Sequence, residues 1–510
     1  MKQYYLGIEF GSTRVKAVLI DGEHRIVKSG DYTWKSSLEN GVWTYHMEDV
    51  QTGLRTAIRN LGELPGAVSA MGISGMMHGY LAFDKDWNLL APFRTWQNTM
   101  TGEAAEQLTA EFGFNIPQRW SIAHLYQAVL NGEAHVKNIA HITTLAGYVH
   151  YLLTGENVLG VGEASGMFPI DSEALDYDAA MLEKFDALIA KYGFAWTARS
   201  VLPKVLTAGQ AAGALTQAGS TFLDGLLPAG IPFCPPEGDA GTGMTATNAV
   251  APRTGNVSAG TSIFAMVVLE KPLSKVYQEI DMVTTPSGKP VAMVHCNNCT
   301  NDMNAWVSLL GETAKLFGAE VSTGELFTKL YQKSLEGDAD CSGVLTYNYM
   351  AGEGITHLDE GRPMVVRKPE SSFTLANFLR SQLYATMSTL KLGMDILAEE
   401  HVAIDSLTGH GGLFKTPVVG QKYMAAACRA PVTCMESAGE GGPYGMALLA
   451  SYLVQKQDGQ TLEQYLETEI FADVKRTTLA PDPEDEAGFD RYLSWYRSAL
   501  AAENAAVKAF

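Results

Sequence analysis

The sequence predicts an α/β protein made of two copies of one domain that face each other across a ligand cleft. Three observations carry that expectation. The chain has 510 residues, more than one ordinary core accommodates. Short apolar strand candidates are interleaved with helical stretches, the pattern of α/β domains. The tripeptides Gly11-Ser12-Thr13 and Gly260-Thr261-Ser262 each sit between apolar strands, and they lie 249 residues apart, about half the chain. The break between the halves falls near residues 247–254, which gives expected domains 1–247 and 248–510.

In chain order, residues 4–8 form a strand candidate, 10–13 a turn and 15–20 a second strand, and Asp21-Gly22 is a hairpin signal before 25–27. The turn Glu9-Phe10-Gly11-Ser12-Thr13 thus joins two antiparallel strands, and its amides and hydroxyls make a usable cradle for phosphate oxygens. Residues 48–62 read as a helix and 67–73 as a strand ending at Ser74-Gly75-Met76-Met77-His78-Gly79. The carboxyl end of such a strand is a usual place for ligand contacts. Residues 80–83 return as another strand. The stretch Asp84 to Asn88 lacks the glycine and the distal acid of a calcium loop and reads as a turn. Trp96-Gln97-Asn98 suits a sugar, ring face against C–H groups and amides to hydroxyls, although a lone Trp also suits a core.

Residues 103–153 look largely helical, 160–171 loop-like and glycine-rich, and 182–192 helical again. Then comes Pro235-Pro236-Glu237-Gly238-Asp239-Ala240-Gly241-Thr242-Gly243, a carboxylate among glycines where backbone can approach a ligand closely. An Asp in such a turn also serves as a turn-former bonding its own backbone. Beside a phosphate-binding turn, with no cation next to it in sequence, Asp239 reads as a base. In the second half, Leu375, Leu379, Leu383, Met387, Leu390, Met394 and Leu397 keep helical spacing behind Thr374 as N-cap. A third glycine turn, Gly409 to Lys415, precedes a helix at 421–429 and can let a flat adenine or its ribose lie close to backbone. Glu440 to Gly445 starts a small-residue helix running to Leu453, and the acidic run 482–490 reads as a solvated surface.

Composition narrows the partners. With 46% hydrophobic and 18% charged residues the chain is that of a soluble globular protein. A net charge of −19, from 37 basic and 56 acidic residues, argues against nucleic acid or an anionic membrane as partner. No apolar run reaches the ~18 residues a spanning helix needs. Glu9 interrupts the first apolar segment and no signal-peptide layout is present, so a cytoplasmic location is expected. The six cysteines form no disulfide framework. Cys296-Asn297-Asn298-Cys299 has the spacing of a metal or redox pair, with His295 adjoining, but no second pair follows at a zinc-like distance, so reduced structural thiols are expected.

Taken together, these residues resemble the FGGY carbohydrate kinases of the actin-like ATPase superfamily, over nearly the whole length. The family's first phosphate motif, Asp-x-Gly-Thr-Thr/Ser, is matched by Glu9-Phe10-Gly11-Ser12-Thr13, with Glu in place of Asp. The segment carrying its catalytic aspartate is similar to Gly238-Asp239-Ala240-Gly241, its second phosphate motif to Gly260-Thr261-Ser262, and its adenosine motif, loosely, to Gly411-Gly412-Leu413-Phe414-Lys415. The resemblance implies two actin-like (ribonuclease H-like) domains, ATP and Mg²⁺, and a sugar as the second small molecule, with a homodimer left open. It implies Asp239 as the base that accepts the sugar hydroxyl's proton. Glu9 and Asp239 would hold Mg²⁺, and Gly11, Ser12, Thr13, Gly260, Thr261, Ser262, Gly411, Gly412 and Lys415 the nucleotide. Met77, His78, Gly79, Trp96 and Asn98 would join Asp239 on the sugar.

Met77-His78-Gly79 is similar to the Met-His-Gly that xylulose kinases use, whereas the Arg-Glu pair of glycerol kinases is absent. The family's Trp-x-Asp-x-Arg stands here as Trp96-Gln97-Asn98-Thr99-Met100, without either charge. A ketopentose, D-xylulose or L-ribulose, is the implied substrate, with another sugar or polyol as the alternative. Two rivals come from other classes. Gly241 to Ala246 fits the dinucleotide pattern G-x-G-x-x-A, but two prolines interrupt the approach and the first acid downstream is Glu270. The other is an actin-like module that binds ATP and sugar without catalysis. Two lobes of this kind are expected to close on ligand.

Overall fold

The computed structural model describes residues 3–435 and 441–509 of the chain. Its internal contacts define two compact units: Met1–Pro252 with Glu270–Val291 and Glu440–Val474, and Arg253–Leu269 with Ala292–Gly439 and Lys475–Phe510. Where the sequence suggested one cut between residues 247 and 248, the contacts change unit at Pro252 and return two later segments to the first unit.

The first unit is organised on strands β1 (Tyr4–Phe10), β2 (Arg14–Asp21), β3 (Ile26–Thr33), β4 (Val68–Gly75) and β5 (Glu237–Gly238), side by side in the order β5-β4-β1-β2-β3. β1 pairs antiparallel with β2 and parallel with β4, and β4 parallel with β5. β1 and β4 are buried almost throughout because helices cover both faces, which explains their near-continuous small and apolar residues. β3 is the edge and is mostly exposed. Helix Met47–Arg59 packs on β3 with Val50, Leu54, Ala57 and Ile58 inward. Against β1 lies helix Gly442–Gln455, from the far end of the chain. Gly7 permits this approach, since a Cβ there would overlap the Pro443 carbonyl.

The second unit holds β6 (Thr254–Ala259), β7 (Ile263–Val268), β8 (Pro290–Cys296), β9 (Ser406–Gly411), β10 (Val432–Met435) and β11 (Arg476–Leu479), in the order β8-β7-β6-β9-β10-β11. β6 pairs antiparallel with β7 and parallel with β9, and β9 parallel with β10. With strand Ile280–Thr284 set aside, because its contacts group it with the first unit, the first five strands of each unit run third-second-first-fourth-fifth. The repeat expected from two tripeptides is therefore a repeat of sheet topology. Helix Leu375–Glu399 is capped by Thr374, whose hydroxyl accepts from Asn377 N, and it is buried over most of its circumference.

Several element expectations change. The stretch 103–153 is three helices, Gly102–Phe112, Ser121–Leu130 and Leu145–Thr154. Gly113 ends the first in a left-handed conformation (φ 64°), and the short strand His141–Thr143 intervenes before the last. The glycine-rich stretch contains the helical turn Val161–Ala164. The acidic run opens helix Pro483–Ala509. Asp485 within it is buried and paired with Arg380 and Lys422, both at 2.5 Å, so the run is not uniformly solvated. Glu440 lies outside the described residues. No helix among them is long and apolar enough to cross a membrane.

Candidate active site and phosphate turns

Asp239 owes its position to β5, which pairs Glu237 with Ser74 and Gly238 with Gly75 at the carboxyl end of β4. The chain turns there directly into helix Asp239–Ala246, with Gly238 as N-cap, so Asp239 is a first-turn helix residue rather than part of a glycine loop. An acid in that place is favoured by the unpaired amides and dipole of the helix start. Its Oδ1 accepts from Met77 N (3.2 Å) and from its neighbour Ala240 N (3.0 Å). A Cβ at Gly238 would overlap Met77 and the Glu163 carboxyl, so the close approach of these groups requires glycine. Gly241 and Gly243 lie inside the helix, which removes the dinucleotide turn that the G-x-G-x-x-A pattern demands.

The Asp239 carboxylate is reached by solvent, yet desolvation by the protein around it is the largest influence and raises its pKa. The Met77 and Ala240 amides and the Arg119 guanidinium oppose that rise. A cation therefore does act on Asp239, which corrects the expectation that none stands beside it.

Glu9 faces the same centre from β1. Its pKa is pushed up to about 8, first by burial, next by the Asp239 charge, with Lys16 working against both. Two carboxylates that disfavour each other's ionisation form a place where a divalent cation is welcome. Among the described residues no group of three or more His, Cys, Asp or Glu could cage a metal. A pair of carboxylates nonetheless fits Mg²⁺, which keeps most of its waters and takes few protein ligands.

Glu237 is turned away from this centre. Its Oε2 accepts from Glu163 N (2.9 Å), and Gly160 and Gly162 leave room for its carboxyl. Burial pushes Glu237 up to about 8 and Glu163 well above the usual carboxylate range. Glu163 was invisible to sequence reasoning, because nothing in a glycine-rich stretch announces an acid packed against Gly238.

Met77, His78 and Gly79 do come together with Asp239. His78 (φ 69°) and Gly79 (φ 88°) both take left-handed backbone as the chain leaves β4. His78 Nδ1 donates to Gly166 O (3.0 Å), and its ring stacks on Trp120 with centroids 6.1 Å apart. The neighbouring segment holds Gly79 from both sides: Gly79 N donates to Arg119 O (3.3 Å), and Ser121 Oγ donates to Gly79 O (2.5 Å). Trp96 is exposed. Asn98 is buried and its amide is turned to Trp43, accepting from its N (2.9 Å) and donating to its O (2.8 Å), and to the Thr95 carbonyl (3.0 Å). Both ends of the Asn98 side chain are thus engaged by backbone.

The two tripeptides form similar turns, each with its carbonyls tied back. In the first unit Gly11 O accepts from the Trp34 indole (2.7 Å), Ser12 O from the Tyr45 hydroxyl (2.7 Å) and Thr13 O from Trp34 N (3.1 Å). Trp34 and Tyr45 stack at 4.3 Å. Ser12 and Thr13 stay exposed. In the second unit Gly260 O accepts from Thr300 N (3.1 Å) and Thr300 Oγ1 (2.7 Å), and Thr261 O from Cys299 N (3.0 Å). Gly11 N and Gly260 N are spent inside the turns, on Arg14 O and Ser262 O (both 2.9 Å), which leaves the exposed Ser12, Thr13 and Thr261 as the outward polar residues.

The Cys296-Asn297-Asn298-Cys299 segment is what holds the second turn. Both thiols are buried, unbonded and raised in pKa by burial. Asn297 N, Asn298 N and Asn298 Nδ2 donate to the buried Glu353 carboxylate at 3.0, 3.3 and 3.1 Å. Gly411 pairs with Ala259 in the β6–β9 register and so reaches the Gly260 turn, with Gly412 next and Lys415 exposed just beyond. Helix Asn301–Leu316 starts against the same turn and leads to a cavity of about 480 Å³ between it and helix Thr323–Ser334. Asn304, Ser308, Gly311, Lys315, Val321 and Leu326 are among its walls.

Comparison with known proteins places these features in context. Residues 4–245 match the N-terminal domain, and residues 255–454 the C-terminal domain, of the FGGY family of carbohydrate kinases. The chain is 22% identical over 513 residues to a xylulose kinase of Haemophilus influenzae, covering 96% of this chain and 99% of that one. In fold it is similar to the ligand-bound xylulose kinase of Lactobacillus acidophilus (TM-score 0.81, 16% identity, 98% and 99% of the two chains). It is equally similar to a gluconate kinase of the same organism (TM-score 0.81, 17% identity, 99% of both).

Proposed function

The chain belongs to the FGGY family of carbohydrate kinases, and on that premise we propose that it transfers the γ-phosphate of ATP to a hydroxyl of a ketopentose, D-xylulose or L-ribulose, in carbohydrate catabolism. The observation that carries this reading is the Met77 N to Asp239 Oδ1 hydrogen bond, which joins the base to the Met77-His78-Gly79 segment. The H. influenzae relative supports xylulose, since it matches over nearly the full length of both chains.

Phosphoryl transfer asks the protein for position and charge stabilisation more than for covalent chemistry. Asp239 orients the attacking hydroxyl and accepts its proton; the raised pKa makes it a better proton acceptor than a free aspartate. His78 and Gly79, fixed by Gly166, Arg119 and Ser121, hold the sugar. Trp96 offers it a ring face, and Asn98 acts at one remove by holding the Trp43 backbone. The Gly11-Ser12-Thr13 and Gly260-Thr261-Ser262 turns donate to phosphate oxygens. Mg²⁺ held by Glu9 and Asp239 would neutralise charge on the phosphates. A nucleotide with phosphates at Gly260 would run along helix Asn301–Leu316. Ser308 lies about 10 Å from that helix start at ~1.5 Å per residue, a span that supports an adenine site in the cavity lined by Asn304 and Ser308, with Gly411 and Gly412 offered to the ribose.

The test is a coupled assay of ADP release across ketopentoses, ketohexoses and polyols. ADP release should require a ketopentose and Mg²⁺. Turnover confined to glycerol or another polyol would overturn the ketopentose assignment and leave the kinase, and absence of sugar-dependent ADP release would overturn both.

A further inference from the structure

We propose that the ion pair between Arg119 and Asp281 sets the substrate class of this site, admitting neutral sugars and excluding sugar acids. The inference rests on the reading of Met77-His78-Gly79 and Asp239 as the sugar side.

Arg119 belongs to the segment that grips Gly79, and Trp120, its neighbour, stacks on His78. Its guanidinium acts electrostatically on Asp239, so the segment bonded to Gly79 N also carries a positive charge on the sugar side. A guanidinium in such a place would ordinarily receive a carboxylate in a bidentate pair. Here that position is already taken from within the protein: Arg119 Nη2 donates to Asp281 Oδ2.

Asp281 is not free to withdraw. It is buried on strand Ile280–Thr284, and Asn115 Nδ2 donates to its Oδ1 (3.3 Å) and to Ile280 O (2.9 Å). The far end of the strand is fixed by Thr284, whose N donates to Ser165 Oγ (3.0 Å) and whose hydroxyl donates to Val161 O (3.1 Å). Ser165 adjoins Gly166, which holds His78. The same small network therefore positions the sugar-side histidine and the carboxylate that neutralises Arg119.

The charges decide the outcome. Arg119 and Asp281 cancel. A substrate carboxylate could take the guanidinium only by displacing Asp281, which would leave a buried carboxylate unpaired. A neutral sugar meets donors on Arg119 and an acceptor on Asp281, both suited to hydroxyls. Exclusion by an occupied cation is specificity through a disfavoured alternative.

The experiment measures ADP release with D-xylulose and L-ribulose against D-xylonate and D-gluconate, for the unaltered chain, Asp281→Asn, Arg119→Met and the double variant. The unaltered chain should favour the neutral sugars. Asp281→Asn frees the guanidinium and should move the kcat/KM ratio toward the acids by about tenfold or more, and adding Arg119→Met should reverse that gain. A ratio within twofold of the unaltered chain's for Asp281→Asn, or equal turnover of both classes by the unaltered chain, overturns the inference while the kinase reading stands. Absence of sugar-dependent ADP release from the unaltered chain overturns both. Should Asp281→Asn fail to fold, calorimetric titration of the unaltered chain decides: xylonate bound as tightly as xylulose overturns the inference, and xylonate bound at least about tenfold more weakly supports it.

Discussion

At the scale of single residues, two carboxylates two positions apart have opposite surroundings. Asp239 opens a helix, is reached by solvent and receives the Met77 amide, whereas Glu237 points into the Gly160–Glu163 segment and is buried. Asp239→Asn keeps the size and a hydrogen-bonding oxygen but cannot take a proton at neutral pH. It should lower kcat by about 10²–10⁴-fold with binding of both substrates changed only slightly, as initial rates and calorimetry would show. Glu237→Gln should leave kcat within a few-fold, because burial already keeps that carboxyl protonated at neutral pH. A dead Glu237→Gln with a fully active Asp239→Asn would move the base to Glu237.

At the scale of elements, the two glycine–hydroxyl turns tie back their carbonyls with different partners. The first uses the Trp34 indole and backbone N and the Tyr45 hydroxyl, the second the backbone amides of Cys299 and Thr300 with the Thr300 hydroxyl. Trp34→Phe removes one donor to Gly11 O and preserves a ring against Tyr45. Net hydrogen-bond contributions of ~0.5–1.5 kcal/mol correspond to a rise in KM for ATP of about two- to tenfold, with the sugar KM unchanged. Steady-state kinetics with each substrate varied in turn would check this, and a rise confined to the sugar KM would remove the turn from the phosphate site. Elsewhere, Asp485 joins helix Pro483–Ala509 to Arg380 on helix Leu375–Glu399 and to Lys422. Asp485→Ala leaves buried Arg380 without that carboxylate and should destabilise the second unit by about 3–5 kcal/mol, read as a lowered denaturation midpoint. An unchanged midpoint would show that the pair contributes no net stability.

At the scale of the whole molecule, the first unit carries a set of carboxyls that are reluctant to ionise. Glu9 and Glu237 are each pushed up from 4.5 to about 8, and Glu163 lies well above the ordinary range. Between pH about 4.5 and about 8 these carboxyls keep protons in the folded chain that the unfolded chain has released, so their contribution to stability falls as pH rises, whereas buried His124 and His150, lowered to about 3 and about 4, work the other way up to about pH 6.5. The melting temperature of the ligand-free protein should therefore decline from about pH 7 to about pH 8, and Glu237→Gln should flatten the decline. Mg²⁺ with ATP should restore stability most at the alkaline end, since it favours ionised Glu9. A profile that rises over the same range would mean that these carboxyls are already ionised in the folded chain.

What the sequence by itself determined is the part written in local pattern. Apolar strands, glycine–hydroxyl turns and the spacing of the two tripeptides identify a repeated α/β architecture and the carbohydrate kinase family, because strand burial and turn conformation depend on neighbours close in the chain. Thr374 could likewise be read as a helix cap from its own surroundings. What only the tertiary structure decided depends on groups brought together over long separations. Gly7 is matched to Pro443, Arg119 to Asp281, Glu163 to Glu237, and the Cys296–Cys299 segment to Glu353. None of these pairings leaves a periodic trace in the sequence. Asn98 shows the limit from the other side: its residue type suited a sugar hydroxyl, but its amide is engaged by the backbone of Trp43, 55 positions away. Side-chain chemistry is a local property, whereas the partner that chemistry meets is fixed by burial and by the cost of leaving a buried polar group unpaired.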